Sequence, residues 1–149
     1  MQMRRAIAFC VVVLMLSGCG QKVDVSNLAD GNCSAAQSQL VDKHISAQID
    51  ALGKKDWNLA FSYASESFQK GVTIDQFTVI IQEQYLMLIE NQGYQFQRCT
   101  IASQMITQEV RVKSGAEIYY LTYALSLNGS KLGIEAAVVG MPVDAGINI

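Results

Sequence analysis

Ile118-Tyr119-Tyr120-Leu121-Thr122-Tyr123-Ala124-Leu125-Ser126-Leu127-Asn128-Gly129-Ser130-Lys131-Leu132-Gly133-Ile134-Glu135-Ala136-Ala137-Val138-Val139-Gly140 decides the fold. Tyr119, Leu121, Tyr123, Leu125 and Leu127 alternate with Ile118, Tyr120, Thr122, Ala124 and Ser126, the period-two pattern of a strand. Asn128-Gly129 is a two-residue hairpin signal, because a type I′ turn needs φ > 0 at both central positions. Lys131–Gly140 is then the return strand. That loop pairs Leu125 with Leu132, Tyr123 with Ile134, Leu121 with Ala136 and Tyr119 with Val138. One face is apolar throughout, and a one-residue slip would turn it to water. The other face, with Thr122 opposite Glu135 and Tyr120 opposite Ala137, is mixed.

Upstream, Ile106, Gln108, Val110 and Val112 alternate with Thr107, Glu109 and Arg111, and Gln95–Ala102 reads as the strand before them. A Ser114-Gly115 loop pairs Val110 with Tyr119 and Ile106 with Tyr123. The expected sheet is therefore a four-stranded antiparallel meander.

The segment before residue 94 has helical spacing. Ser34-Ala35-Ala36-Gln37 is a capping box, and Val41, Ile45, Ile49 and Leu52 follow as a stripe that Gly53 ends. His44 sits one step off that stripe and reads as a boundary histidine facing water. Asp56 caps a second helix, Trp57 to about Ala64, and Ser65–Gly71 reads as a connection anchored by Phe68. Thr73 with Gln76 makes another capping box, and Val72 with Phe77 a hydrophobic staple. The third helix then runs through Ile81 and Tyr85 to Leu88. Three helices followed by an antiparallel sheet with one apolar face is an α+β layout.

At the other end of the chain, Arg4 and Arg5 precede an unbroken apolar run, Ala6–Leu16. That run is too short for a hydrocarbon core of ~30 Å, which needs about 20 residues. It has the form of a secretory signal. Leu16-Ser17-Gly18-Cys19 resembles the bacterial lipobox, which implies diacylglyceryl transfer to the Cys19 thiol and cleavage before it. A lipidated Cys19 carries two or three acyl chains, enough for stable attachment to a membrane without a spanning helix. In Gram-negative lipoproteins an aspartate at the second mature position favours inner-membrane retention. Gly20 stands there, so the resemblance implies the periplasmic side of the outer membrane in such a cell. The resulting organisation is a signal peptide over 1–18, a lipidated tether over 19–33, one domain over 34–142 and a tail over 143–149.

Of the eleven Lys+Arg, Arg4 and Arg5 leave with the signal, so nine remain against thirteen Asp+Glu, a net charge of −4. Nucleic acid binding needs a basic face, and this balance argues against it. Four cysteines are present. Cys10 belongs to the signal and Cys19 to the lipid, which leaves Cys33 and Cys99. A structural disulfide is the preferred reading outside the cytoplasm. A redox pair or a metal site are the alternatives, but there is no Cys-x-x-Cys and His44 is the only histidine. No metal and no cofactor is expected.

Asp56-Trp57-Asn58-Leu59-Ala60-Phe61-Ser62-Tyr63-Ala64-Ser65, Phe77, Tyr85, the Gln108–Val112 strand and Tyr123-Ala124-Leu125 with Asn128-Gly129-Ser130 resemble a bacterial family of unknown function in the NTF2-like, or cystatin-like, superfamily. The similarity covers about residues 38–142. It departs at Lys131, where an aromatic such as Trp is the family pattern. The resemblance implies a cone, with helices on the concave face of a bent sheet and a pocket between. Tyr85, Gln108, Tyr119 and Tyr123 share the inward parity and are the expected pocket residues, with a small apolar ligand as their occupant. The mixed outer face admits a homodimer. The expected function is a lipid-anchored envelope module that binds or scaffolds. The alternative is an enzyme of the cone-fold isomerase or cyclase type, with a tyrosine donor beside an acid in the pocket. No Asp or Glu has clean inward parity, so no catalytic residue is assigned.

Overall fold

Period-two alternation in the second half of the chain builds the larger layer of the molecule. The structure is a computed structural model, described here over residues 28–140. Cys19, the signal and the tail over 143–149 lie outside the described residues. Five strands form one antiparallel sheet in chain order: β1 Gly31–Asn32, β2 Gly93–Ala102, β3 Met105–Ser114, β4 Glu117–Asn128 and β5 Lys131–Gly140. Five helices precede β2: α1 Ala35–Gly53, α2 Trp57–Ser62, α3 Glu66–Gly71, α4 Ile74–Gln84 and α5 Leu86–Ile89. Val41, Ile45, Ile49 and Leu52 of α1 form one continuous core with Ile106, Val110, Val112, Leu121, Tyr123 and Leu125 of the sheet. The α+β layout of helices over an antiparallel sheet is therefore present.

The helix count differs from three for two reasons. Ser65 is itself an N-cap: its side chain accepts from Phe68 N, and Glu66 and Lys70 sit at the dipole-favoured ends, so the expected connection is α3. The expected third helix breaks at Tyr85, where the backbone leaves helical values (φ −128, ψ 32), and resumes as α5. Both expected capping boxes, at Ser34/Gln37 and Thr73/Gln76, are formed.

Both hairpins turn one residue later than expected. Ser114 pairs with Glu117 and Asn128 with Lys131, so the central residues are Gly115-Ala116 and Gly129-Ser130. Gly115 and Gly129 carry the positive φ (60 and 63) and the residues after them do not. That is the pattern of a type II′ turn, with glycine at the first central position. The actual pairs are Val110 with Leu121, Gln108 with Tyr123 and Ile106 with Leu125. The shift is by two residues in register, so the apolar face survives. On β5 it survives only in part. Leu125 pairs with Ile134 and Ala124 with Ala136, so Glu135 is an extra residue, a β-bulge. Beyond it Tyr123 faces Ala137 and Leu121 faces Val139, not Ile134 and Ala136 as the unbroken register required. Val138, expected inward, is exposed.

The last residues assigned to the tether are docked. Leu28 is buried, β1 pairs with Thr100 and Ile101 of β2, and Asp30 accepts from Ser103 N at 2.9 Å. Gln104 Nε2 donates to Leu28 O. Those two bonds hold the β2–β3 turn, where Ser103 and Gln104 both adopt positive φ without a glycine. Such residues each carry a local penalty of order 1 kcal/mol or more. Cys33 and Cys99 form a disulfide with Cα atoms 5.4 Å apart, tying the entry of α1 to β2.

Candidate functional site

A hollow of about 180 Å³ lies between the helices and the β4–β5 half of the sheet. Phe77, Ile80 and Ile81 project into it from α4, because 3.6-residue spacing puts them on one face. Phe68 enters from α3 and Leu88 from α5, while Ile134, Ala136 and Ala137 supply the β5 wall. Phe68 and Phe77 stack edge-to-face with ring centres 6.3 Å apart. The lining is mainly apolar, with four polar side chains in it: Gln48, Tyr85, Tyr123 and Glu135.

Three of these four are engaged. Gln48 Nε2 donates to Ala60 O at 3.3 Å. Tyr85, standing at the break between α4 and α5, donates its hydroxyl to Ala137 O and so ties the helix layer to β5. Glu135 is turned towards α3: Ser67 Oγ donates to its carboxylate at 2.7 Å and Ser126 Oγ donates to it from β4. Burial raises the Glu135 pKa, but the hydrogen bonds from Ser126, Ser67 and Ser65 lower it by more, so it stands below the usual carboxylate range. Tyr123 differs. It is fully buried and its hydroxyl has no hydrogen-bond partner. Burial first, then the neighbouring Tyr85 and Tyr94, push that phenol far above its ordinary value, so it stays protonated.

Of the four expected pocket tyrosines and glutamine, the hollow brings together Tyr85 and Tyr123. Gln108 is on the inner face and fully buried, but outside the lining. Its Nε2 donates to Glu109 O at 2.9 Å and reaches Gln97 O at 3.5 Å, across from the irregularity between Phe96 and Cys99 in β2. Its Oε1 is unpartnered. The amide thus fills the space behind a bulge. Tyr119 pairs with Val112 beside the β3–β4 turn, half-buried against the core and outside the lining of the hollow. Gln48 and Phe68 line the hollow although neither is among the expected pocket residues; Phe68 is expected only as the anchor of a connection. Gln48 sat beside the α1 stripe, and a buried amide at the edge of an apolar stripe is the signal that could have marked it.

His44 is not a water-facing boundary residue. It is half-buried, its Nε2 lies 2.9 Å from Tyr63 O, and its ring stands edge-on to Tyr63. Burial lowers its pKa, the bond to Tyr63 raises it and Lys131 lowers it, with a net decrease. Neutral, it donates to the Tyr63 carbonyl that also accepts from Ile134 N. Among the described residues no cluster of three or more His, Cys, Asp or Glu could hold a metal ion. No helix among them is long and apolar enough to cross a membrane.

The site and its frame define an α+β domain: an antiparallel meander with one face under helices and an apolar hollow between the layers. The chain belongs to the family described as Domain of unknown function (DUF4864), whose pattern it matches over residues 34–139. The match begins at the Ser34 cap of α1 and ends within β5. No curated protein and no solved structure matches the chain.

Proposed function

We propose that this chain is a cell-envelope lipoprotein, anchored through acyl chains on Cys19, whose domain is an NTF2-like cone that binds a small apolar molecule. The observation that carries the binding reading is the mainly apolar hollow of about 180 Å³ between α4 and β5. The Cys33–Cys99 disulfide supports the envelope reading, since such bonds persist in oxidising compartments. The complete Leu16-Ser17-Gly18-Cys19 lipobox supports the anchor. Nothing favours the isomerase or cyclase reading: the Tyr85 hydroxyl is given to a backbone carbonyl and the Glu135 carboxylate to serines. A homodimer through the outer face is part of the same proposal, motivated by exposed Tyr120 and Val138 there.

Native mass spectrometry of protein taken from its own cells tests the whole reading. Diacylated Cys19 at the N-terminus and a co-purified small molecule, lost on filling the hollow with Ile81→Trp, are expected. An unprocessed, unlipidated N-terminus in wild type would refute the anchor. An empty domain under every growth condition would refute the binding reading.

A further inference from the structure

We propose that the end of the sheet carrying the β2–β3 and β4–β5 turns is the domain's membrane-facing surface, seated on phospholipid headgroups whose phosphates meet Lys70 and Lys131. The inference rests on the Cys19 anchor proposed above and goes beyond it, because an anchor alone leaves every face of the domain able to turn to the lipid.

The point where the chain leaves the domain comes first. β1 runs antiparallel to β2, with Gly31 opposite Ile101 and Asn32 opposite Thr100, so the residues before it head for the β2–β3 turn. They are pinned there. Leu28 is buried, Gln104 Nε2 donates to its carbonyl at 3.0 Å, and Asp30 accepts from Ser103 N. Register puts the β4–β5 turn at the same end, since Ile106 pairs with Leu125 and Asn128 with Lys131. The β3–β4 turn, at Gly115-Ala116, lies at the other end.

Length comes next. Cys19 stands nine residues before Leu28, and that many residues reach at most about 30 Å. β3 has ten residues, and at roughly 3.3 Å each it is about as long as that reach. Laying the β3–β4 turn on the lipid in place of the near turns would need the chain fully extended back along the whole sheet. A short tether also keeps the near turns at a high effective concentration beside the headgroups.

The chemistry of that end suits phosphate. Lys70 and Lys131 line the cleft between α3 and the β4–β5 turn together with Asn128, and all three are exposed. Ammonium groups make charge-assisted hydrogen bonds to phosphate oxygens. Two of the carboxylates there are turned to protein donors: Asp30 to Ser103 N, and Glu135 to Ser67 and Ser126. Met105, at the β2–β3 turn, is 37% exposed and adds an apolar contact at the same level. With nine Lys+Arg against thirteen Asp+Glu outside the signal, the attraction is local and does not come from the charge of the whole chain.

The test uses the mature lipoprotein, isotope-labelled and taken from its own cells, in phosphatidylcholine nanodiscs that carry gadolinium-chelate headgroups. The readout is loss of amide signal. Ser103, Gln104, Gly129 and Ser130 should lose most of their intensity, and Gly115 and Ala116 should keep theirs. A Lys70→Ala/Lys131→Ala variant should stay on the discs and recover signal at Gly129 and Ser130. Equal losses at both ends, or a larger loss at Gly115, in protein that co-elutes with the discs would overturn the inference and leave the anchor standing. No recovery in the double variant would overturn the phosphate contact. Protein that carries no acyl chains and runs apart from the discs would refute the anchor, and this inference with it.

Discussion

Gly133→Ala should be among the most damaging one-carbon changes in the domain. Gly133 is not in a left-handed conformation, so the cost is one of space. A Cβ there would lie 2.5 Å from Ser65 Cα, 2.8 Å from Ser65 Cβ and 3.0 Å from Ser65 N. The obstacle is backbone, and it is held on both sides. Ser65 N donates to Ile134 O at 2.9 Å and Ile134 N donates to Tyr63 O at 3.0 Å. Ser65 also caps α3. Normal contact requires about 1 Å of separation that rotamer changes cannot supply. Overpacking of this kind costs about 1–3 kcal/mol, and the strained bridge hydrogen bonds add about 0.5–1.5 kcal/mol each. Roughly 3 kcal/mol in total corresponds to a fall in melting temperature on the order of 10–15 °C for a domain of this size. Gly71→Ala is the control, because nothing lies within 4 Å of its Cβ position and it ends α3. It should be neutral or stabilising by up to about 1 kcal/mol. Thermal unfolding followed by circular dichroism separates the two. A Gly133→Ala protein melting within about 2 °C of wild type would show that the α3–β5 contact is loose, and with it the wall of the hollow.

Cys99→Ser should lower stability by at most about 4 kcal/mol, the chain-entropy value for a loop of this length, given a sequence separation of 66; denaturant melts with and without reductant measure it, and no reductant effect on wild type would deny the bond. Glu135 has a folded pKa below its ordinary 4.5, so its stabilising contribution is complete above that pH and is lost as pH falls through the lower native value. The melting gap between wild type and Glu135→Gln should therefore be constant near neutrality and close on acidification, and a gap that widens in acid would contradict the serine cage. Tyr85→Phe removes the bond to Ala137 O and should cost about 0.5–1.5 kcal/mol, read as a lower melting temperature and faster amide exchange in α5; unchanged exchange there would mean that the hydroxyl does not hold the α4–α5 junction.

What the sequence made legible was periodicity and local chemistry. Both capping boxes, the inward parity of Tyr123 and Leu125 and the Cys33–Cys99 pair were readable from residue types alone. Missed features depended on distant partners. The short α3 hides in a six-residue window too brief for a stripe, and only its Ser65 cap betrays it. The break at Tyr85 has neither proline nor glycine; it falls at the residue whose hydroxyl reaches β5, 52 positions away. The Ser103-Gln104 turn lacks the usual glycine because residues 28–30, which look like linker, supply its hydrogen bonds.

The bulge at Glu135 is the most instructive miss, since the hollow follows from it. Unbroken alternation would have kept Ala136 and Val138 on the inner face. One extra residue puts Ala137 opposite Tyr123 instead, and its carbonyl becomes the acceptor for Tyr85. The same insertion swings the Glu135 side chain to Ser67 and Ser126, away from the apolar wall. Gly133, two residues earlier, lets β5 press against Ser65 closely enough for that reach. Small residues at 133, 136 and 137 therefore do more than fail to fill a core. Gly133 lets the strand come up to Ser65 on one side of the bulge, and the short side chains of Ala136 and Ala137 on the other leave open the hollow that Phe77, Ile80 and Ile81 face.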